Sequence, residues 1–217
     1  MASRQEASRK KTAPRRTVSR DDLTEAAIAL VERDGLDALT MRRLAAELDR
    51  APMSLYTHVR NRDDLVDAIV ARLIERLGLH EVPGESWQDA VRRTLRSYRD
   101  LAVQLPHSFE LLALAPYDTS PVAPHLAGVV ASLERAGLGP AEARQILGIV
   151  DAYATGFLVV WARSQAAARP TGTDAPPEVT GMRELETFDQ GLEALIAGLD
   201  ATLVRSPAAS ESPAPTS

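Results

Sequence analysis

The most constraining feature of the sequence is Ile146–Trp161 (ILGIVDAYATGFLVVW), which is apolar on every side of a helix and carries one charge, Asp151. A helix that is apolar all round must be buried all round. A membrane span needs roughly 20 apolar residues, but Arg144 and Arg163 bracket a shorter run here. The pattern favours a helix packed on its own domain on one side and on a second subunit on the other. It therefore predicts a homodimer and no membrane span.

Apolar residues recur at helical spacing through most of the chain, and no segment shows the sustained apolar–polar alternation of a strand. Residues that open or close helices bracket these runs. The opening residues are Ser19 with Asp22, Thr40, Pro52, Asn61 with Asp64, Ser86 with Asp89, and Pro140; the closing ones are Gly35 and Gly137. The predicted fold class is all-α, with short helices first and long ones after.

Charge is divided unevenly along the chain, whose formal net charge is −5. Residues 1–62 carry 13 Lys and Arg against 9 Asp and Glu, whereas residues 63–217 carry 12 against 21. A basic N-terminal segment on an acidic chain indicates that only this segment, the basic front, contacts a polyanion such as DNA. A solvated basic tail on an acidic protein would show the same charge distribution. The basic arm 1–18, the Pro- and Gly-containing loop 169–181 and the tail 206–217 are predicted to lack regular structure.

Two short predicted helices in the basic front, Thr40–Leu48 and Pro52–Val59, are separated by only three residues. This is the spacing of a helix-turn-helix, whose second helix enters the major groove of DNA. The polar side chains of the second helix lie off its apolar line and can bond to bases or phosphates; they are Ser54, Tyr56, Thr57 and His58. Many all-α proteins contain such a corner, so the spacing alone also allows a purely structural role.

The segment Leu39–Ile69 (LTMRRLAAELDRAPMSLYTHVRNRDDLVDAI) resembles the DNA-binding region of the tetracycline-repressor (TetR) family. Its L-Y-x-H-V core at Leu55–Val59, followed by a basic residue and Asn61, is among the most specific signatures of that family. GESWQD at Gly84–Asp89 and FDQGLEALIAGL at Phe188–Leu199 resemble the tetracycline-repressor subclass. Only the two tails fall outside the resemblance.

The resemblance implies a ligand-responsive transcriptional repressor that binds a palindromic double-stranded DNA operator as a homodimer. Residues 19–68 would form the helix-turn-helix DNA-binding domain, and residues 69–205 a helical ligand-binding and dimerisation domain. The last two long helices of each subunit would form a four-helix bundle. A small molecule in the C-terminal domain, of unknown identity, would shift the spacing of the two DNA-reading heads and release the operator.

The candidate DNA-contacting residues lie on the two short helices and just after them. They are Thr40, Arg42, Arg43, Pro52, Met53, Ser54, Tyr56, Thr57, His58 and Arg62. By the resemblance, Arg42 matches the family's base-reading arginine, while Thr40, Tyr56 and Arg62 match phosphate contacts. Arg43 is added because a guanidinium at the start of the first short helix can reach a guanine edge or a phosphate.

The chain departs from the family's pattern at both kinds of site. Asp49 stands where the family usually has a turn glycine, and Pro52-Met53 stands where it has glutamine-proline, so we expect an operator other than the tetracycline operator. The family's tetracycline-binding histidine and asparagine fall on Gly78 and Thr94, and its magnesium-holding histidine falls on Leu112. Tetracycline with magnesium is therefore not the expected ligand, and no metal or other cofactor is predicted.

Helical position and chemistry select the candidate ligand-binding residues. They are Tyr98, His107, Phe109, Leu112, Tyr117, Asp151, Tyr153 and Phe157. For each aromatic residue the alternative is plain core packing. A carboxylate in an apolar run needs a partner, so Asp151 is predicted to meet either the ligand or an arginine across the dimer.

The sequence does not predict an enzyme. The four histidines are scattered, and there is no H-x-x-x-H pair, Gly-rich phosphate loop or G-x-S-x-G motif. The absence of cysteine excludes thiol catalysis and disulfides and fits a cytoplasmic location. A helical adaptor that keeps the DNA-binding shape without sequence-specific binding is the alternative class, and salt dependence of DNA binding would separate the two.

Overall fold

The computed structural model describes residues 18–166 and 184–204, which form helices joined by short turns, with no strand among them. The helices are α1 Arg20–Asp34, α2 Met41–Glu47, α3 Pro52–Leu55, α4 Arg62–Arg76, α5 Trp87–Gln104, α6 Pro106–Ala113, α7 Val122–Arg135, α8 Pro140–Ala166 and α9 Leu185–Leu199. The predicted all-α class is confirmed. Apart from Val18, the predicted arm 1–18, loop 169–181 and tail 206–217 lie outside the described residues.

Local capping interactions start the helices where the sequence predicts them. Before α1, Ser19 Oγ accepts a hydrogen bond from Asp22 N at 3.0 Å, and Asp22 Oδ2 accepts one from Ser19 N at 2.9 Å. Before α4, Asn61 Oδ1 accepts from Asp64 N at 2.8 Å. Each cap satisfies a backbone donor that has no partner within the helix, which is worth about 1 kcal/mol.

The second helix of the helix-turn-helix is shorter than predicted. The expected range was Pro52–Val59, but the α-helix ends at Leu55 and residues 56–58 form a turn. The N–H groups of His58 and Val59 both donate to Leu55 O, at 2.9 and 3.1 Å. The chain leaves the helix because Val59 must turn inward to be buried and Asn61 must be extended to cap α4.

Helix α8 packs on α5, α6, α7 and α9 and forms the centre of the C-terminal half. Its inner face is buried, whereas Ile149 and Val160 on the outer face are 37% and 36% exposed. Within a single chain, only the inner face of the apolar run is buried, and its outer face remains exposed to solvent. By length and composition α8 would also qualify as a membrane span, but core helices of soluble proteins pass the same test.

Candidate DNA-binding surface and effector cavity

The helix-turn-helix is held by a small apolar core shared with α1 and α4. Its members that are at most 1% exposed include Leu23, Leu44, Leu55, Leu65 and Ile69. Leu55 is the one buried residue of α3. A single buried anchor leaves the remaining side chains of this short helix directed outward.

The predicted DNA-contacting residues lie at the surface of this part of the structure. Nine of the ten are exposed, and His58 is half-buried. Met53 and Tyr56 are large apolar or aromatic side chains with 75% and 45% of their area exposed. Large exposed side chains of this kind on a rigid scaffold are typical of binding surfaces.

Two hydroxyl groups of the candidate surface already donate to the backbone. Ser54 Oγ donates to Ala51 O, and Thr57 Oγ1 donates to Ser54 O, both at 2.7 Å. These bonds use the hydroxyl protons and leave oxygen lone pairs free. In this conformation both hydroxyl oxygens can accept a hydrogen bond from a donor on a DNA base, such as its amino group.

The two adjacent arginines of α2 differ in their surroundings. Arg43 forms an ion pair with Asp34 at the end of α1. Arg42 is exposed and, among the described residues, makes no hydrogen bond or ion pair. Arg42 is therefore available for a new partner, whereas Arg43 must first leave Asp34.

Arg20 fixes the turn that follows α3, a role that sequence reasoning missed. Its Nη1 donates to His58 O at 3.0 Å, and its Nη2 donates to Asp64 Oδ1 at 2.9 Å. The backbone N–H of Arg60 and then the guanidinium of Arg20 lower the pKa of Asp64 to about 2. No local pattern could reveal these contacts, because they join residues 38 and 44 positions apart.

A cavity of about 370 Å³ lies in the C-terminal half between α5, α7 and the segment joining α4 to α5. Residues that line it include Leu79, Arg93, Thr94, His125, Gly128 and Ser132. None of the eight predicted ligand residues is among its lining residues, and His125 was missed. The available signal was the recurrence of residues 125, 128 and 132 on one face of α7.

The predicted ligand residues do not gather around one cavity. Phe109 and Leu112 are buried in the core. Tyr98 packs edge-on against Phe109, with ring centroids 6.2 Å apart, and its hydroxyl lies 3.3 Å from His125 Nε2. Tyr98 therefore contacts His125, a residue of the cavity wall, but does not line the cavity itself. Phe109 and Leu112 pack in the core.

A second aromatic group joins α8 to α9. Tyr153 stacks on Phe188 with centroids 5.4 Å apart, and Phe157 meets Phe188 edge-on at 5.5 Å. Tyr153 Oη donates to Phe188 O at 2.8 Å. These contacts account for both predicted residues by packing between the two helices.

Of the remaining candidates, Tyr117 donates its hydroxyl proton to the carboxylate of Asp151. His107 lies at the start of α6 and its Nδ1 is 2.8 Å from Glu32 O on α1. The first pair lies within the C-terminal half, whereas His107 connects α6 to the helix-turn-helix.

The helix-turn-helix segment matches a known family. Residues 23–69, which contain most of α1, all of α2 and α3 and the first half of α4, match the model for bacterial regulatory proteins, tetR family. An HTH-type transcriptional regulator of Saccharopolyspora erythraea is 28% identical over 202 residues, covering 85% of this chain and 86% of the relative. The HTH-type transcriptional repressor DrrR1 of Streptomyces coeruleorubidus is 31% identical over 173 residues, covering 75% of this chain and 61% of the relative.

The similarity extends to solved structures. The crystal structure of a TetR variant from Acinetobacter baumannii AYE, in complex with minocycline, has a TM-score of 0.69 and 26% sequence identity. The alignment covers 88% of this chain and 100% of that one. The matched helix-turn-helix, the relatives and this shared fold confirm the predicted resemblance. Residues 23–69 therefore form a DNA-binding domain of the tetR family of bacterial regulatory proteins, and the chain is a DNA-binding transcriptional regulator.

Proposed function

We propose that the chain is a cytoplasmic homodimeric repressor, rather than an enzyme, that binds a palindromic DNA operator and leaves it when a small molecule binds. The proposed domains are 19–68 for DNA and 69–205 for ligand and dimer contacts. The observation that carries the proposal is the exposed set of candidate residues on α2 and α3, presented by a rigid apolar core. Nothing in the packing of that head requires Met53 or Tyr56 to be exposed, so a contact surface explains them best.

Homodimer formation is supported by matching apolar strips on α8 and α9. The outer strip of α8 contains Ile149, Ala152, Gly156 and Val160. A shallow groove runs along α9 and the π-helical turn Asp200–Val204 that follows it. It is lined by small and apolar residues of α9, Gly191, Ala194, Leu195, Gly198 and Leu199, and by Thr202 of that turn. Small residues let helices approach closely, and burying the strips against a second copy removes apolar area from water. Two helices from each chain would then form a four-helix bundle.

Sedimentation of two variants of α9 tests the dimer. Ala194→Glu places a charge in the groove and should convert the dimer to monomer at micromolar concentration, since an unpaired buried charge is costly. Ala197→Glu makes the same change on a different face of α9, one turn after Glu193 and outside the groove, and should leave the dimer intact. A monomeric wild type, or equal dissociation of both variants, would contradict the proposed interface.

DNA reading is tested by selecting random double-stranded DNA on the full-length protein and sequencing what is retained. A palindromic consensus is expected, since a dimer reads two half-sites on one face of the duplex. Arg42→Ala should weaken binding about 5- to 150-fold, equivalent to 1–3 kcal/mol, and relax preference at one position. Arg96→Ala removes an exposed arginine from α5 and serves as the charge-matched control.

Two results would refute this function. One is unchanged affinity and preference after Arg42→Ala, which would remove the base-reading assignment. The other is recovery of no consensus together with binding that vanishes at moderate salt, which indicates a polyanion patch on a helical adaptor.

The small molecule is proposed to bind in the cavity between α5 and α7. Its volume lies within the roughly 300–1,000 Å³ of ligand pockets. Binding there releases DNA only if the ligand prefers the released conformation to the operator-bound one. Loss of fluorescence anisotropy of the selected DNA on adding a cavity ligand is the measurement, and a bound ligand that leaves the anisotropy unchanged would refute the coupling.

A further inference from the structure

The cavity between α5 and α7 has two arginines at one end, beside the segment that joins α4 to α5. Arg93 on α5 donates to Glu85 of that segment, Nε to Oε1 at 2.9 Å and Nη2 to Oε2 at 2.7 Å. Arg135, in the last turn of α7, has its Nε 3.0 Å from Oε1 of Glu81. Because Glu81 and Glu85 lie close together in that segment, the two guanidinium groups approach the same end of the cavity. Both arginines line it.

The rest of the cavity wall is mostly apolar. Along α7 the wall extends from His125 to Arg135, about 15 Å at a rise of roughly 1.5 Å per residue. Burial lowers the pKa of His125, so this imidazole is neutral at pH 7. The apolar members of the wall include Leu79, Ala90, Val129 and Leu133. Such a wall favours a ligand with an apolar body.

The unused hydrogen-bonding groups of the two arginines are donors. Arg93 uses two of its five N–H groups on Glu85, and its Nη1 makes no hydrogen bond to a described residue. The two Nη nitrogens of Arg135 also make none within residues 18–166 and 184–204. Glu81 is the one acid among the described residues that line the cavity. The cavity therefore offers more charged donors than charged acceptors.

Two hydroxyl groups add to this donor set. Thr94 on α5 and Ser132 on α7 both line the cavity, and neither makes a hydrogen bond to another described residue. Ser132 lies one turn before Arg135 and Thr94 directly follows Arg93, so each hydroxyl is close in the sequence to a guanidinium group. Hydroxyl and guanidinium donors together suit an oxyanion.

The two arginines differ in how firmly they are held. The side chains of Arg93 and Glu85 are 26% and 12% exposed, and their paired bonds fix the guanidinium in place. The side chains of Arg135 and Glu81 are 52% and 58% exposed. An ion pair so open to water contributes little, so Arg135 can exchange Glu81 for another carboxylate at small cost.

We propose that this cavity binds an organic acid, with its apolar body between α5 and α7 and its carboxylate on the free N–H groups of Arg93 and Arg135. The inference rests on the proposed role of the cavity as the effector site, and it adds the chemical class of the ligand. A cation of the same shape would meet two guanidinium groups and bind more weakly.

Calorimetric titration of the full-length protein with three probes of one shape tests the charge preference. Naphthylacetate is expected to bind at least tenfold more tightly than naphthylethanol, and naphthylethylammonium most weakly. Equal affinities of the acid and the alcohol for the wild type would overturn the inference. Tightest binding by the ammonium, or no binding of naphthylacetate at millimolar concentration, would also overturn it.

Two variants assign the preference to the cavity. Glu81→Gln removes the carboxylate that competes for Arg135 and should tighten naphthylacetate at least threefold, a gain that misfolding cannot produce. Adding Arg135→Gln to that variant should weaken naphthylacetate at least fivefold and leave the alcohol within about twofold. Adding Arg96→Gln instead removes an exposed arginine of α5 outside the cavity and should change neither affinity.

An acid affinity that is unchanged by both Glu81→Gln and Arg135→Gln would refute the arginine site. The proposed function is judged separately, by the DNA selection. A preparation that binds its selected DNA but shows no preference for the acid refutes the acid site alone. A preparation that selects no DNA refutes the proposed function.

Discussion

Glu32 on α1 caps the first turn of α6 and so ties the helix-turn-helix to the C-terminal half. Its Oε1 accepts from Ser108 N at 2.6 Å, its Oε2 accepts from His107 N at 3.4 Å, and its backbone oxygen accepts from His107 Nδ1 at 2.8 Å. Helix α6 begins at Pro106 and has no side-chain cap from its own segment. A carboxylate 76 residues away in the sequence supplies the cap instead.

Replacing Glu32 should have a measurable cost. The side chain is 20% exposed, so water replaces the lost bonds only in part. A hydrogen bond to a charged group is worth about 1.5–3 kcal/mol, and loss of a helix cap costs about 0.5–2 kcal/mol. The short bond to Ser108 N contributes most of this energy, and the long bond to His107 N contributes little. Glu32→Ala should therefore lower the free energy of unfolding by about 2 kcal/mol. Glu32→Gln keeps a neutral acceptor and should lose about 1 kcal/mol.

Urea denaturation followed by circular dichroism, at one fixed protein concentration, measures both changes. In thermal denaturation, each kcal/mol of lost stability lowers the Tm of a chain of this size by about 2–4 °C, so the Tm of Glu32→Ala should fall by about 4–8 °C. Asp67→Ala is the control, because Asp67 is exposed on α4 and has no partner among the described residues. It should stay within about 0.5 kcal/mol of the wild type. A Glu32→Ala variant that also stays within that margin would show that the cap does not join the two halves.

Three further predictions concern stability. Gly191→Ala would place its Cβ against the Tyr153 hydroxyl and 2.8 Å from Tyr153 Cζ, so urea denaturation should show a loss of about 1–3 kcal/mol. Gly128→Ala on α7 is the control, because its Cβ would meet nothing within 4 Å and should not destabilise; equal effects would contradict the close approach of α8 and α9. Because the pKa of Asp64 is about 2 in the fold and about 3.9 in an unfolded chain, its stabilising effect is complete above about pH 4 and is lost as the pH falls through 2. Asp64→Asn should thus destabilise at pH 6 and progressively less below pH 4, and a difference that stays constant to pH 2 would refute this. Asp49 has a φ of 50°, in the left-handed region that glycine adopts without strain. Asp49→Val should therefore cost about 1–2 kcal/mol more than Asp49→Gly, and equal losses would show that this backbone angle is not strained.

The features that the sequence predicted correctly depend on interactions within about four residues. The capping box of Ser19 and Asp22, the Asn61 cap of α4 and the start of α8 at Pro140 all join near neighbours. Helical periodicity is equally local, because side chains three or four positions apart share a face. The same locality explains why the two short helices of the DNA-binding head could be placed, and why family motifs there were recognisable.

Tertiary packing determined what the helices do to one another. Helix α3 stops at Leu55 because burial of Val59 and the cap of α4 override the helical pattern. Tyr153 and Phe157, predicted as ligand residues from position and chemistry, pack against Phe188 of α9.

The cavity and the link between the two halves depend on still longer separations. His125 reaches the cavity only because α7 lies beside α5, and Glu32 caps α6 only because α1 packs against it. A side chain's chemistry and spacing show what it can bind, whereas the groups it meets are set by how helices pack to bury their apolar faces. The sequence by itself determined an all-α chain with a DNA-binding head. The packed structure decided which polar groups face the cavity, which ones join the two halves and which aromatic rings remain in the core.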